Sequence, residues 1–140
     1  MIFEMIIEFA KMNDAEELAE LDRLGHNELN GWSPNSKIDF AKILRKSPKS
    51  IVVARENNKI IGYASSRADK ESKWLWLEDV YVLKNKRKKG VARKLLNKIV
   101  EYKKKVMPSR KLVLLTADIN LKVFQKIRFK KTMNFMEYQK

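Results

Sequence analysis

The stretch from Leu75 to Lys105 limits what this chain can fold into, because two different periodicities meet there across one glycine. Leu75-Trp76-Leu77-Glu78-Asp79-Val80-Tyr81-Val82-Leu83 is dense in aromatic and β-branched side chains, so it reads as a strand ending at Lys84-Asn85. Beyond Arg87-Lys88-Lys89-Gly90, the apolar residues Val91, Ala92, Leu95, Leu96, Ile99 and Val100 recur at three- and four-residue spacing, with Lys94, Asn97, Lys98 and Glu101 between them. That is the pattern of an amphipathic helix. A helix opening on a basic glycine turn makes an anion site: its first N–H groups lack partners within the helix, and its dipole favours negative charge. The expected occupant is a pyrophosphate.

The rest of the chain divides readily around this unit. Ile2 to Phe9 reads as a first strand, and Asn13 with Glu16 resembles a capping box before Leu18, Leu21 and Leu24 at helical spacing, to about Leu29. Gly31 and Pro34 break the chain. Ser36 or Asn35 caps a short second helix carrying Ile38, Phe40, Ala41, Ile43 and Leu44, which Pro48 ends. His26 and Trp32 lie where this region could border a substrate channel, although such residues more often only pack or face solvent. Ile51 to Ala54 and Ile60 to Ser66 read as strands joined by an Asn57-Asn58 hairpin turn, since asparagine tolerates positive φ. Gly62 marks a bulge or a close backbone approach. A polar loop leads to the fourth strand at Trp74, so strands two to four form an antiparallel meander. Lys111 to Leu115 is a fifth strand, parallel to the fourth because a right-handed helical crossover joins them. A last helix over about Ile119 to Ile127 and closing strands at Phe129 to Lys131 and Phe135 to Tyr138 complete one α/β (α+β) domain over residues 1–140, a mixed, mostly antiparallel sheet of six to seven strands flanked by four helices.

Composition excludes several functions. A chain of 140 residues can bury about two-thirds of its surface around one core without covalent staples. Glu4 and Glu8 interrupt the apolar N-terminal run, so it reads as a strand and not as a signal peptide, and no membrane role is expected. The absence of cysteine rules out disulfides and thiolate catalysis and makes a cytoplasmic location the default. With a single histidine besides, no metal site is expected. The net charge of +14 has two readings: a solvated lysine surface, or a positive field that draws polyanions such as a phosphorylated ligand, an acidic protein or nucleic acid.

The series Val82-x-Lys84-x-x-Arg87-x-x-Gly90-x-Ala92 resembles the acetyl-CoA signature of the GNAT (GCN5-related N-acetyltransferase) family, Arg/Gln-x-x-Gly-x-Gly/Ala after a hydrophobic strand. Near the C-terminus, Val123-Phe124-Gln125-Lys126-Ile127-Arg128-Phe129 is similar to that family's Phe-Tyr-Glu-Lys-Leu-Gly-Phe, and the element order β-α-α-β-β-β-α-β-α-β agrees over essentially the whole chain. The resemblance implies an acyl-CoA N-acyltransferase fold in which the fourth and fifth strands splay apart and the pantetheine arm of acetyl-CoA lies in the gap. It implies that the backbone of Val80, Tyr81 and Val82 holds the acetyl and pantetheine groups. Arg87, Lys88, Lys89, Gly90, Val91, Ala92 and Arg93 would wrap the pyrophosphate, and Asn120, Phe124 and Lys126 of the last helix would meet CoA. Gly90 permits close backbone approach, and Ala92 keeps the helix start small. Lys88 departs from the family pattern, standing where many members have glycine, and so does Arg128 before Phe129.

The reaction implied is direct acetyl transfer to a primary amine in a ternary complex. Such an amine, with a pKa of about 10.4, must lose a proton before it attacks. A carboxylate near the centre of the fourth strand is the family's common solution, and Glu78 and Asp79 are the candidates. Simple alternation puts Glu78, Val80 and Val82 on one face and Asp79 and Tyr81 on the other, and a bulge would alter that phase. Glu78 is favoured as the base. The position of the family's tyrosine acid, which protonates the leaving thiolate, is taken by Phe124. Three readings follow: water supplies the proton, Tyr81 or Tyr138 does, or activity is weak. The alternatives to an efficient enzyme are therefore a CoA-binding module of this fold and, on charge, a nucleic-acid-associated protein. The acceptor is an amine on a protein or a small molecule, the charge leans towards an acidic macromolecule, and either a monomer or a homodimer is compatible.

Overall fold

Alternating apolar residues, a two-asparagine turn and one long amphipathic helix resolve into a twisted sheet covered on both faces. In a computed structural model, residues 4–29, 33–115, 121–132, 136 and 138 are described. The strands are β1 (Met5–Phe9), β2 (Ile51–Glu56), β3 (Lys59–Ala68), β4 (Trp74–Val82) and β5 (Lys111–Val113). The helices are α1 (Ala15–Leu29), α2 (Lys37–Lys46), α3 (Val91–Val106) and α4 (Leu121–Lys126), with 3₁₀ turns at Met12–Asp14 and Lys84–Lys86. The sheet runs β1-β2-β3-β4-β5, antiparallel throughout except for the parallel β4–β5 pair that α3 connects. Among the described residues the sheet has five strands, not six or seven. Residues 129–132 form no strand, and of the second expected closing strand Phe135 and Glu137 lie outside the described residues. Phe129 instead turns back on α4, its N–H donating to the Phe124 carbonyl at 3.1 Å and its ring meeting Phe124 edge-on.

Two cores sandwich the sheet. Leu18, Leu21, Phe40 and Leu44 of α1 and α2 bury Ile51, Val53, Ile60 and Tyr63, while Val91, Leu95, Leu96 and Ile99 of α3 bury Val52, Ala54, Ile61, Leu77 and Val82 from the other side. Each of the Val, Leu, Ile and Phe side chains contributes roughly 1.5–3 kcal/mol by leaving water. The local signals act as their chemistry demands. Ser36 accepts from the Asp39 N–H at 3.2 Å while Asp39 accepts from the Ser36 N–H at 2.9 Å, closing a capping box on α2. Asn57 and Asn58 take φ of 53° and 62° in the β2–β3 hairpin. The 3₁₀ turn that leads into α1 is capped by Asp14, which accepts from the Lys11 N–H at 2.8 Å and from Arg55 Nη2 at 2.6 Å, in place of the expected pair Asn13 and Glu16.

Two irregularities shape the centre of the sheet. In β3 the register slips beside Gly62, where an added Cβ would stand 3.0 Å from the Tyr81 carbonyl oxygen. In β4 Ser65 pairs with Asp79 but Ser66 pairs with Leu77, so Glu78 is an extra, unpaired residue. This bulge resets the alternation. Leu77, Val80 and Val82 pack towards α3, whereas Tyr81 packs towards α1. Glu78 therefore does not share a face with Val80 and Val82 as unbroken alternation required.

Candidate active site

The short length of β5 opens the site. It pairs only with Trp74, Leu75 and Trp76, so among the described residues β4 has no β5 partner from Leu77 onwards. Among the described residues, the backbone groups on that edge from Leu77 to Tyr81 have no β5 partner and could bind a ligand lying alongside like a strand. A cavity of about 360 Å³ sits at the fork, lined by Arg67, Trp76, Leu77, Glu78 and Leu115.

The same strand runs into the basic turn. Lys88 and Gly90 both hold left-handed backbone, φ 65° and 78°, and reverse the chain into α3. Glycine adopts this conformation freely, whereas Lys88 does so at a cost of about 1–2 kcal/mol. No side chain caps the first turn of α3, and a Cβ on Gly90 would meet nothing within 4 Å. The open N–H groups and the exposed Lys88 and Lys89 could hold a pyrophosphate there. Arg93, one turn on, points to α4, where its Nη2 lies 3.5 Å from the Lys126 carbonyl oxygen. The half-buried Phe124 packs with the α3 core, so the ends of α3 and α4 meet near the turn. Asn120 and Trp32 lie outside the described residues.

Arg87 is more committed than its place in the turn suggests. Its Nε donates to the Val82 carbonyl at 2.9 Å, its Nη2 pairs with Glu28 of α1, and its guanidinium lies 5.5 Å from the Tyr81 ring centroid. Lys86 is likewise engaged, its Nζ 2.6 Å from Glu56 Oε1.

The two carboxylates of β4 stand in different surroundings. Glu78 protrudes at the bulge, exposed on the cavity wall, with Arg67 Nε 2.5 Å from its Oε1. Asp79 is half-buried on the α1 side, accepting from Ser65 Oγ at 3.3 Å. Burial pushes its pKa up, and the nearby charge of Asp22 adds to the effect. Asp22 itself is 1% exposed, and accepts from the Tyr63 phenol at 3.0 Å and the Asn35 N–H at 2.7 Å. Burial also raises the phenol pKa of Tyr81, with Glu28 adding to the shift and Arg87 opposing it, so the ring stays protonated at neutral pH. Tyr138, by contrast, is 90% exposed. Asp22, Gly25 and Glu28 of α1 were not singled out from the sequence. Their three-residue spacing on the buried side of a helix was the available signal.

A strand edge open among the described residues, leading into an uncapped, basic helix start with carboxylates on the bulged strand between them, could bind an extended, phosphorylated donor. The chain belongs to the acetyltransferase (GNAT) family, whose model matches residues 12–129. Acetyl-CoA is the acetyl donor of that family. Solved structures of the same fold include the aminoglycoside N-acetyltransferase AAC(6')-Iy in complex with CoA, at TM-score 0.74 and 20% identity over 100% of this chain and 97% of that one. A predicted acetyltransferase from Clostridium acetobutylicum with acetyl-CoA matches at TM-score 0.71 and 21% identity, over 97% and 96%. Diaminobutyrate acetyltransferase EctA from Paenibacillus lautus, with its substrate and coenzyme A, matches at 0.72 and 17%, over 90% and 73%. No curated protein sequence matches the chain. Among the described residues, no group of three or more acidic or histidine side chains could hold a metal, and no helix is long and apolar enough to cross a membrane.

Proposed function

We propose that this protein transfers the acetyl group of acetyl-CoA to a primary amine by direct attack in a ternary complex. The observation that carries the reading is the unpaired edge of β4, running from Leu77 to Val82 straight into the Gly90 turn. Pantetheine would bind the backbone of Val80, Tyr81 and Val82 as an added strand. The pyrophosphate would meet the N–H groups from Lys88 to Ala92, with Lys88, Lys89 and Arg93 supplying charge. Phe124 and Lys126 would border the CoA from α4.

The amine must arrive neutral or lose its proton on the way. Glu78 lies on the wall of the cavity at the fork and takes that proton, directly or through water. A second reading assigns the base to Asp79, and the observation favouring it is burial, which raises its pKa towards the range of an effective base. Comparing the pH dependence of Glu78→Gln and Asp79→Asn decides between them: the base variant loses rate by about 10²–10⁴-fold, and the other keeps the wild-type profile. A wild-type profile in both removes the carboxylate from the mechanism.

Tyr81 would be the phenol that returns a proton to the CoA thiolate, a reading supported by its place on the same strand and its raised pKa. Tyr81→Phe should lower turnover modestly, because a thiolate leaves well without help. The ring of Phe124, edge-on to Phe129, favours a subordinate reading in which the chain binds CoA but turns over slowly. Free-thiol release across a panel of primary amines, from small diamines to protein N-termini, tests both. Relatives of this fold carry names that span such acceptors, from aminoglycosides to the alanine of a ribosomal protein.

A further inference from the structure

One face of α1 presents Asp22, Gly25 and Glu28, three residues apart, to the site strand and its turn. The inward stripe of a surface helix is normally apolar, and this one changes character over its last two turns. Asp22 holds the Tyr63 phenol. Gly25 lies against the Tyr81 ring, where a Cβ would stand 3.1 Å from Cδ1. Glu28 pairs with Arg87. A glycine inside a helix costs about 1 kcal/mol relative to alanine, and here it lets the helix backbone approach the ring. The stripe thus follows β4 towards its end, meeting Tyr81 and then the first residue of the turn.

Arg87 occupies the far end of this contact, with Nε directed to the Val82 carbonyl, Nη2 to Glu28 and the guanidinium over Tyr81. A guanidinium used in this way ties three pieces of chain together, with its Nε and one Nη2 hydrogen committed inside the protein. We propose that Glu28 is a positioning residue acting through Arg87: their ion pair locks the end of β4 and the start of the turn against α1, so the turn is set for acetyl-CoA only when α1 is seated. This rests on the reading of the turn as the acetyl-CoA site. Because coupling between two such events is reciprocal, acetyl-CoA bound in the turn also seats α1.

The sign of one effect separates this role from simple electrostatics. A carboxylate beside an anion site repels the ligand, so if Glu28 acted by charge alone, Glu28→Gln would bind acetyl-CoA more tightly and Glu28→Lys more tightly still. The clamp requires the opposite. Calorimetric titration with acetyl-CoA should give both variants a Kd roughly three- to tenfold weaker than wild type, with Arg87→Gln similar and Glu28→Gln/Arg87→Gln no weaker than the weaker single variant. Hydrogen exchange over residues 21–29 should slow when acetyl-CoA is added to the wild type, and not in Glu28→Gln. Thermal melts of each variant identify any that lose the fold, and the exposed end of α1 makes Glu28→Gln the one least at risk. Tighter binding by Glu28→Lys, or equal protection of α1 in wild type and Glu28→Gln, overturns the clamp. A wild-type protein that binds no acetyl-CoA overturns the reading of the turn itself.

Discussion

Gly90 combines a φ of 78° with empty space around its missing side chain, and those two facts separate what its replacements would do. Gly90→Ala meets no atom and carries only the left-handed strain, about 1–2 kcal/mol. Gly90→Glu carries that strain and puts a carboxylate where phosphates are proposed to sit. The expected outcome is a folded protein with no measurable acetyl-CoA binding by calorimetry; unchanged affinity would count against the site. Asp79 offers a different test at the same scale. Its folded pKa lies above its unfolded value, so the native state holds the proton more tightly, and stability falls as pH rises from the unfolded pKa through the folded one. Asp79→Asn keeps an acceptor for Ser65 and removes the buried charge. At neutral pH it should raise Tm by about 2–4 °C for each kcal/mol relieved, and at pH 3 the gain should vanish. A variant melting below wild type at pH 7 would show that the charge is held by a partner.

At the scale of elements, the decisive feature is the mismatch in length between β4 and β5. Nine residues face three, so among the described residues part of β4 lacks a partner on one edge. The bulge at Glu78 then sends Asp79 and Tyr81 to the α1 side, while Val80 and Val82 anchor the strand on α3. Elements distant from this fork should matter for stability alone. Ser36→Ala removes the α2 cap and should cost about 1 kcal/mol in denaturant unfolding, with acetyl-CoA affinity unchanged. A loss of affinity would mean that α2 communicates with the turn.

Charge belongs to the whole molecule. Some cations are held locally: Arg55 joins Glu8 and Asp14 at 2.6 Å each, and Lys86 joins Glu56. Others, including Lys88 and Lys89, face solvent beside the proposed anion site. With a net charge of +14, the long-range field favours an anionic cosubstrate, and salt screens that field within about 10 Å at 0.1 M. Raising salt from 50 to 300 mM should therefore weaken acetyl-CoA binding several-fold. Insensitivity to salt would make the lysines a solvated surface and nothing more.

Much of this molecule was legible in local patterns. The glycine turn between a β-branched strand and an amphipathic helix, the Ser36 cap, the two-asparagine hairpin and the parallel crossover depend on neighbours within a few residues or on chirality, and they appear as expected. What tertiary structure decided is what depends on pairing between distant segments. Only the register of β3 against β4 reveals that Glu78 is extra, so no count along β4 could tell which carboxylate faces α1. Only the docking of α1 on β4 brings Gly25 to Tyr81 and Glu28 to Arg87, residues 56 and 59 positions apart. The closing strand expected at Phe129 to Lys131 gave way for the same reason: its one apolar residue, Phe129, found a partner in Phe124 of α4. The sequence by itself determined the basic glycine turn at Arg87 to Ala92, proposed as the anion site. Tertiary structure decided which of that turn's side chains remain free for a ligand, because hydrogen-bonding capacity already used within the protein is not available outside it.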